Sequence, residues 1–460
     1  MNFLAPEPLN NTICEMFSLS HSIKCHSLEE VAMWAELGFT QNIYDHLPIT
    51  ANEAGERLLV GRENELAKLM ARIRGRNAIP TLEGEIGVGK TSIISVSSFR
   101  LEQRFFTSGG DCYLALDRPF QLDGEETADS FSQKVYQQVL IKIHSIRKDL
   151  IAKGINVGET SKLFDWISSE QYNAIGGTIA SIGGSISPSP NTSDGFSTLG
   201  FQNRVNLLLK GMYPSAKKGG VICVIDNLEL LEKSTRAKAL LEAMRDKVLT
   251  AHGLIWVICG ARGIVRGVAS SQRLQGYLSK PIDIAPLSID QLDDLIERRI
   301  SEYSITGARG DAPVEQEGFV HIFRICKENL RTAFKFCSDY SEWYAEGGHK
   351  GSPSSDKFGL LEAWLASESD EILSSIRLSP KPWEIFERII DRGGSIAPSD
   401  HLSFGYETPM AMRPQIKSLE DYELVDSTID DTDQRRRTIS VTPKGWLVNY
   451  ARRGYPQPAA

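Results

Sequence analysis

The chain has 460 residues, which at ~150 residues per domain is enough for about three domains. Apolar residues make up 41% and charged residues 24%, ordinary values that exclude a wholly disordered, collagen-like or disulfide-scaffold chain. Acidic residues outnumber basic ones, 59 to 51, for a formal charge of -8, so any nucleic-acid contact should be local and not a general basic coat.

No stretch reaches the ~18 consecutive apolar residues of a membrane span. Met1–Asn11 lacks the basic run and apolar core of a secretory signal. The seven cysteines form no C-x-x-C pair and several sit in apolar runs, as buried thiols do. A cytoplasmic location and no membrane partner are expected. Cys14, His21, Cys25 and His26 match no common zinc spacing.

Residues 1–55 form an N-terminal segment with one helical stretch, Ser27–Leu37. Residues 56–287 alternate amphipathic helices with short apolar runs at Ala78–Glu83, Cys112–Leu116, Val221–Ile225, Leu254–Cys259 and Ile282–Ala285. Such alternation predicts a parallel sheet with helices on both faces. Within it, 173–200 reads as a flexible insertion: Gly176–Gly200 is rich in Gly and Ser, and Asp194 is its only charge. Residues 288–350 are helical only, 351–377 are a linker or helix, and 378–453 form a separate small unit.

The strongest motif is Gly84-Glu-Ile-Gly-Val-Gly-Lys-Thr91, which fits G-x-x-x-x-G-K-[ST] between an apolar strand and a helical run. Gly84, Gly87 and Gly89 let the backbone curl so that N–H groups, including those of Val88 and Ser92, face phosphates at a helix N-terminus. Lys90 would neutralise the β- and γ-phosphates of ATP, and the Thr91 hydroxyl would ligate Mg²⁺. Pro80 forfeits a ladder bond, so the strand is expected to start after it. Val221-Ile-Cys-Val-Ile-Asp226 is an apolar strand ending in an acid, the Walker B arrangement. Asp226 would hold Mg²⁺ through water, and Glu229 would polarise the attacking water.

At these motifs the chain resembles two related groups, the signal-transduction ATPases with numerous domains (STAND) and the origin-recognition-like AAA+ ATPases. Leu59-Val-Gly-Arg-Glu-Asn-Glu-Leu66 is similar to their "hhGRExE" segment, which implies that Gly61 and Arg62 lie near the adenine. Leu254-Ile-Trp-Val-Ile-Cys-Gly-Ala-Arg262 resembles the STAND sensor strand, which implies that Arg262 approaches the γ-phosphate. Ile284–Leu292 resembles the start of the helical lid. Lys327-Glu-Asn-Leu-Arg-Thr-Ala333 looks like the "GNxR" sensor helix, with Glu328 in place of Gly and Arg331 as the sensor. Asp226 is followed by Asn227, where active AAA+ motors carry Asp-Glu, so slow hydrolysis is expected.

Residues 378–453 resemble the winged helix-turn-helix of bacterial transcription regulators, through Leu419, Glu423, Leu424, Val425, Asp433, Arg435, Arg436, Ile439, Val441, Thr442, Lys444 and Gly445. In a DNA-binding version the Met410–Glu423 helix enters the major groove, Arg413, Gln415 and Lys417 reach bases or phosphates, and Arg435, Arg436 and Arg437 grip the backbone or minor groove. Pro414 is expected in the first turn of that helix. From 378 onward 11 basic residues face 12 acidic ones, and STAND proteins use a winged helix as a protein–protein latch, so both outputs stay open.

The expected fold is therefore α/β: a P-loop NTPase of AAA+/STAND type, with parallel sheet and helices on both faces, an α-helical lid and a C-terminal winged helix. The expected function is an ATP- and Mg²⁺-dependent switch, slowly hydrolysing, that assembles on double-stranded DNA, on a partner protein or as a homo-oligomer. The alternative is a STAND-type regulator with negligible hydrolysis and an autoinhibitory winged helix.

Overall fold

The computed structural model describes residues 30–122, 126–158, 160–167, 198–215, 218–228, 234–261, 264–269, 271–305, 308–429 and 437–454. The Cys14, His21, Cys25 and His26 group and most of the Gly/Ser insertion lie outside these residues. Thr198–Gly200, read as the insertion's end, instead begin a helix that runs to Met212. Its Phe201, Val205 and Leu209 recur at helical spacing and are buried.

The central sheet is parallel. Its strands are β1 (Thr81–Gly84), β2 (Tyr113–Ala115), β3 (Phe120–Gln121), β4 (Gly220–Asp226), β5 (Leu254–Gly260) and β6 (Ile282–Ile284). The order is β2-β4-β5-β1-β6, with β3 also paired to β4. The continuous apolar runs follow from burial on both faces. In β4, Val221, Cys223 and Ile225 join one core, while Ile222 packs into the other; in β5, Leu254, Trp256 and Ile258 oppose Ile255, Val257 and Cys259. Helices α1 (Glu63–Gly75) and α2 (Lys90–Ser108) cover one face, and α3 (Ala128–Ser145) covers the other. Strand β1 starts just after Pro80, whose carbonyl accepts from Ile258 N at 3.0 Å, so the missing proline N–H costs no bond within the strand.

A second body is helical: α4 (Ile289–Tyr303), α5 (Gln316–Ile325), α6 (Leu330–Glu346) and α7 (Ser354–Ser375). Its core takes in residues from far upstream. Trp34, Phe39, Ile43 and Tyr44 are fully buried against the helices. Trp34 packs edge-on to Phe39 and Tyr44 at 6.1 and 6.0 Å. The Tyr44 hydroxyl accepts from Val314 N at 2.9 Å and donates to Val314 O. Leu361, Trp364 and Leu365 place α7 in the same core.

The third body contains α8 (Pro380–Asp391), a 3-10 turn at Pro398–Phe404, α9 (Pro409–Asp421) and α10 (Pro443–Arg453). Its three-stranded antiparallel sheet has the order β7-β9-β8, from β7 (Ser395–Ile396), β8 (Val425–Ile429) and β9 (Arg437–Val441). Met412, Ile416 and Leu419 turn one face of α9 into this core. Pro414 departs from the sequence expectation. Thr408 caps the helix and Pro409 occupies its first position, so Pro414 lies in the second turn. The cap fixes the start, and the proline leaves the carbonyl of the exposed Met410 without its helical donor. Among the described residues no helix is long and apolar enough to cross a membrane.

Candidate functional site

Strand β1 ends at Gly84, and the loop 85–89 leads into α2 at Lys90. Two glycines are sterically required. A Cβ on Gly84 would lie 2.6 Å from Ile284 O in the neighbouring strand. A Cβ on Gly87, whose φ is +82°, would lie 2.5 Å from Asn329 Oδ1 and 3.0 Å from Arg331 Cβ. The loop is braced from three directions. Lys90 Nζ donates to Gly84 O and Glu85 O, each at 3.0 Å. Arg62 donates to Val88 O at 3.1 Å. Asn329 Nδ2 donates to Ile86 O at 3.2 Å, while its Oδ1 caps α6 by accepting from Thr332 N.

Asp226, 3% exposed at the end of β4, meets the loop directly. Thr91 Oγ1 donates to Asp226 Oδ2 at 2.6 Å. The other oxygen accepts from Asn227 N at 2.8 Å and from the Cys259 thiol at 2.7 Å, so the carboxylate is fixed on both sides. Asn227 takes a left-handed turn, φ 55°, which asparagine tolerates better than most residues. A hydroxyl and a carboxylate this close form a hard-oxygen pair that suits Mg²⁺, which takes few protein ligands and completes its shell with water and phosphate. Among the described residues no cluster of three or more His, Cys, Asp or Glu side chains competes as a metal site.

Arg62, Ile86–Ser92 and Asn227 line part of a cleft. Leu295, Arg299, Arg331 and Phe334 line it from the helical body, and His46–Ile49 and Leu58–Val60 line it as well. Ser92 lines the cleft, and its hydroxyl accepts from Ile49 N at 3.1 Å, which ties that segment to α2. Gly61, at φ +67°, presents its carbonyl to Gln291 of α4 at 3.4 Å. Burial lowers the Arg62 pKa below the usual arginine value and brings that of Arg299 down to about 10.

Gly87, Val88, Gly89, Lys90, Thr91, Ser92, Arg62 and Arg331 thus meet at one cleft, with Asp226 bonded to Thr91 and Gly84 joined to it only through the Lys90 ammonium that its carbonyl accepts. Glu229 and Arg262 lie outside the described residues. Two members of the site escape sequence reasoning. Asn329 stands in the same run as Arg331, and its signal is its place one residue before a helix. Arg299 gives a signal only as a charge on the apolar stripe of α4.

On the third body, Gln415 is half-buried and Lys417 is exposed. Arg413 is committed elsewhere than expected: its guanidinium clasps Glu420 at 2.8 and 2.9 Å. Reaching DNA would require giving up that pair. Arg435 and Arg436 lie outside the described residues, and Arg437 is described only as the backbone start of β9.

No protein-family model matches the chain, and no curated protein matches it. Solved structures with a similar course do exist. The Aeropyrum pernix ORC1 protein in complex with DNA aligns over 85% of this chain and 92% of its own, with 16% identity and a TM-score of 0.42. The Aeropyrum pernix ORC2 protein in ADPNP–ADP complexes aligns over 90% and 98%, with 11% identity and a TM-score of 0.44. The CDC6P protein of Pyrobaculum aerophilum aligns over 89% and 96%, with 15% identity and a TM-score of 0.37. The fold class rests on the chain's own strand order, P-loop and appended bodies. It is an α/β fold, a parallel sheet with helices on both faces and a P-loop between its first strand and the following helix, joined to a helical body and to a small body with a three-stranded antiparallel sheet.

Asn329→Ala removes both the cap of α6 and the brace on Ile86. Loss of such a cap costs ~1 kcal/mol, and the variant should unfold at a correspondingly lower denaturant concentration. An unchanged midpoint would show that Asn329 carries no weight in joining lid and loop.

Proposed function

We propose that this protein is an ATP-binding, slowly hydrolysing P-loop ATPase that works as a nucleotide-dependent switch. The observation that carries this reading is the Thr91–Asp226 contact at the mouth of a cleft shared between the P-loop and the helical lid. ATP would lay its phosphates along 85–91. Mg²⁺, held between Thr91 and Asp226, would neutralise charge developing on the phosphates. Lys90, now bonded to loop carbonyls, would turn to the phosphates. Arg331, beside Gly87, would reach them from the lid, and Arg262 would do so from the end of β5. Glu229 would orient the attacking water. Asn227 follows Asp226 where a second carboxylate would serve as base, and an amide cannot take up a proton, which supports slow turnover.

The switch follows from geometry. A ligand that touches both walls of the cleft favours one lid position, and loss of the γ-phosphate removes part of that preference. The winged helix would carry the output, to double-stranded DNA through Arg435, Arg436 and Arg437, with Gln415 and Lys417 on α9. A specific observation supports the alternative, in which the winged helix is an autoinhibitory protein interface. Leu447 is buried in the lid core, Tyr450 donates to Glu362 of α7 at 2.9 Å, and Lys444, Arg452 and Arg453 are paired with acids.

Lys90→Ala should weaken ATP·Mg²⁺ binding at least tenfold by calorimetry, since a charge-assisted contact contributes ~1.5–3 kcal/mol. Undiminished affinity in a folded variant would remove the nucleotide reading.

The two outputs separate in a salt series on duplex DNA with ATP present. If the wing holds phosphates, replacing Arg435, Arg436 and Arg437 by Ala should flatten the slope of log affinity against log salt by roughly two to three units. Identical slopes, or no wild-type binding at low salt, would select the partner-latch alternative.

A further inference from the structure

Arg299 lies on α4, whose stripe of Leu292, Leu295, Ile296 and Ile300 packs into the lid core. The guanidinium shares this apolar setting and is only 5% exposed. A buried cation without a carboxylate partner is unusual, and among the described residues Arg299 forms no ion pair. Its NH1 group donates instead to two backbone carbonyls, Ile43 O at 2.9 Å and Asp45 O at 3.0 Å. Its guanidinium carbon lies 3.9 Å from the centre of the Phe334 ring. The buried Nε–H has no partner. Orphaned buried donors are rare in native proteins and call for a reason.

The position suggests the reason. Carbonyls 43 and 45 begin the strap whose next residues, His46–Ile49, line the cleft. Arg299 and Phe334 line it from the lid. The Ser92 hydroxyl holds the strap at Ile49 on the core side. The strap is thus fixed at one point to the P-loop helix and at the other to the lid, where Tyr44 bonds to Val314 and Arg299 holds the carbonyls on either side of it. A nucleotide with its phosphates on 85–91 would leave its base to the apolar remainder of the lining, which includes Leu47, Pro48, Leu58, Leu59, Leu295 and Phe334.

We propose that Arg299 is the positioning residue for the nucleobase: by pinning the strap to the lid it builds the pocket that the base fills. The proposal rests on the nucleotide reading of the cleft and names its specificity element. It assigns Arg299 no part in phosphate chemistry. The guanidinium offers donors only, so any direct contact it makes is to an acceptor atom on the base edge.

The test compares two probes on the full-length protein, ATP and inorganic tripolyphosphate, each with Mg²⁺ and each by calorimetry. Wild type should bind ATP more tightly than tripolyphosphate. Arg299→Met should weaken ATP at least tenfold and leave tripolyphosphate within twofold. Arg299→Lys, which keeps a cation over Phe334 and a donor toward the strap, should recover part of the ATP preference. Thermal melts identify any variant that fails to fold; if Arg299→Met does, the ATP-to-tripolyphosphate ratio of Arg299→Lys decides, and it must fall below that of wild type. Parallel losses for both probes would make Arg299 a general strut and overturn the proposal. So would an unchanged ATP preference in either folded variant. Wild type that binds both probes equally would overturn the base pocket and leave the phosphate site standing. Wild type that binds neither would remove the nucleotide reading itself.

Discussion

Gly87 lies so close to the lid that one added methyl group would collide with Asn329 and press on Arg331. This contact is the constraint on which the rest of the architecture depends. The phosphate loop cannot be described as part of the sheet domain alone. Lys90 ties it to its own carbonyls, Arg62 ties it to the segment before α1, and Asn329 ties it to the first turn of α6. A change in the loop therefore reaches the lid through one directional hydrogen bond, from Asn329 to Ile86, and through the close contact at Gly87.

The lid in turn is continuous with the last body. Leu447 of α10 is buried among lid side chains, and Tyr450 bonds to α7. The segment that leads to Asn329 makes a further link. Lys327 and Glu328 both have left-handed backbones, a costly arrangement for two successive side-chain-bearing residues, and Lys327 reaches over the Trp446 ring at 4.8 Å. Trp446 stacks in turn against Gly394, where φ is +86° and a Cβ would collide with the ring. One turn thus touches the phosphate loop on one side and the C-terminal body on the other.

Much of this was legible in local sequence because it is written at short range. The P-loop spacing, the acid closing an apolar strand, and the alternation inside β4 and β5 each depend on neighbours a few residues apart. What sequence did not show is long-range. Trp34, Phe39 and Tyr44 look like ordinary N-terminal residues, yet they complete the core of helices ~260 residues later, a pairing that no periodicity encodes. Arg299 gives only a faint signal, a charge on the apolar stripe of α4, and the tertiary packing of that helix shows it buried. Arg413 reads as a free cation on a recognition helix because its bond to Glu420, seven residues on, bridges two turns. The strands β3 and β7 contain two residues each, too short for a pattern. Pro414 lies a turn further into its helix than the sequence reading places it, with Thr408 as the cap and Pro409 at the first position.

The account stands on one claim, that a nucleotide joins the phosphate loop to the lid. Hydrogen exchange of the backbone amides in 85–92 and 329–334, with and without ATP·Mg²⁺, tests it most directly. The account predicts slower exchange in both segments together, with the change absent in Lys90→Ala. Slower exchange in the loop alone, or in neither, would contradict it.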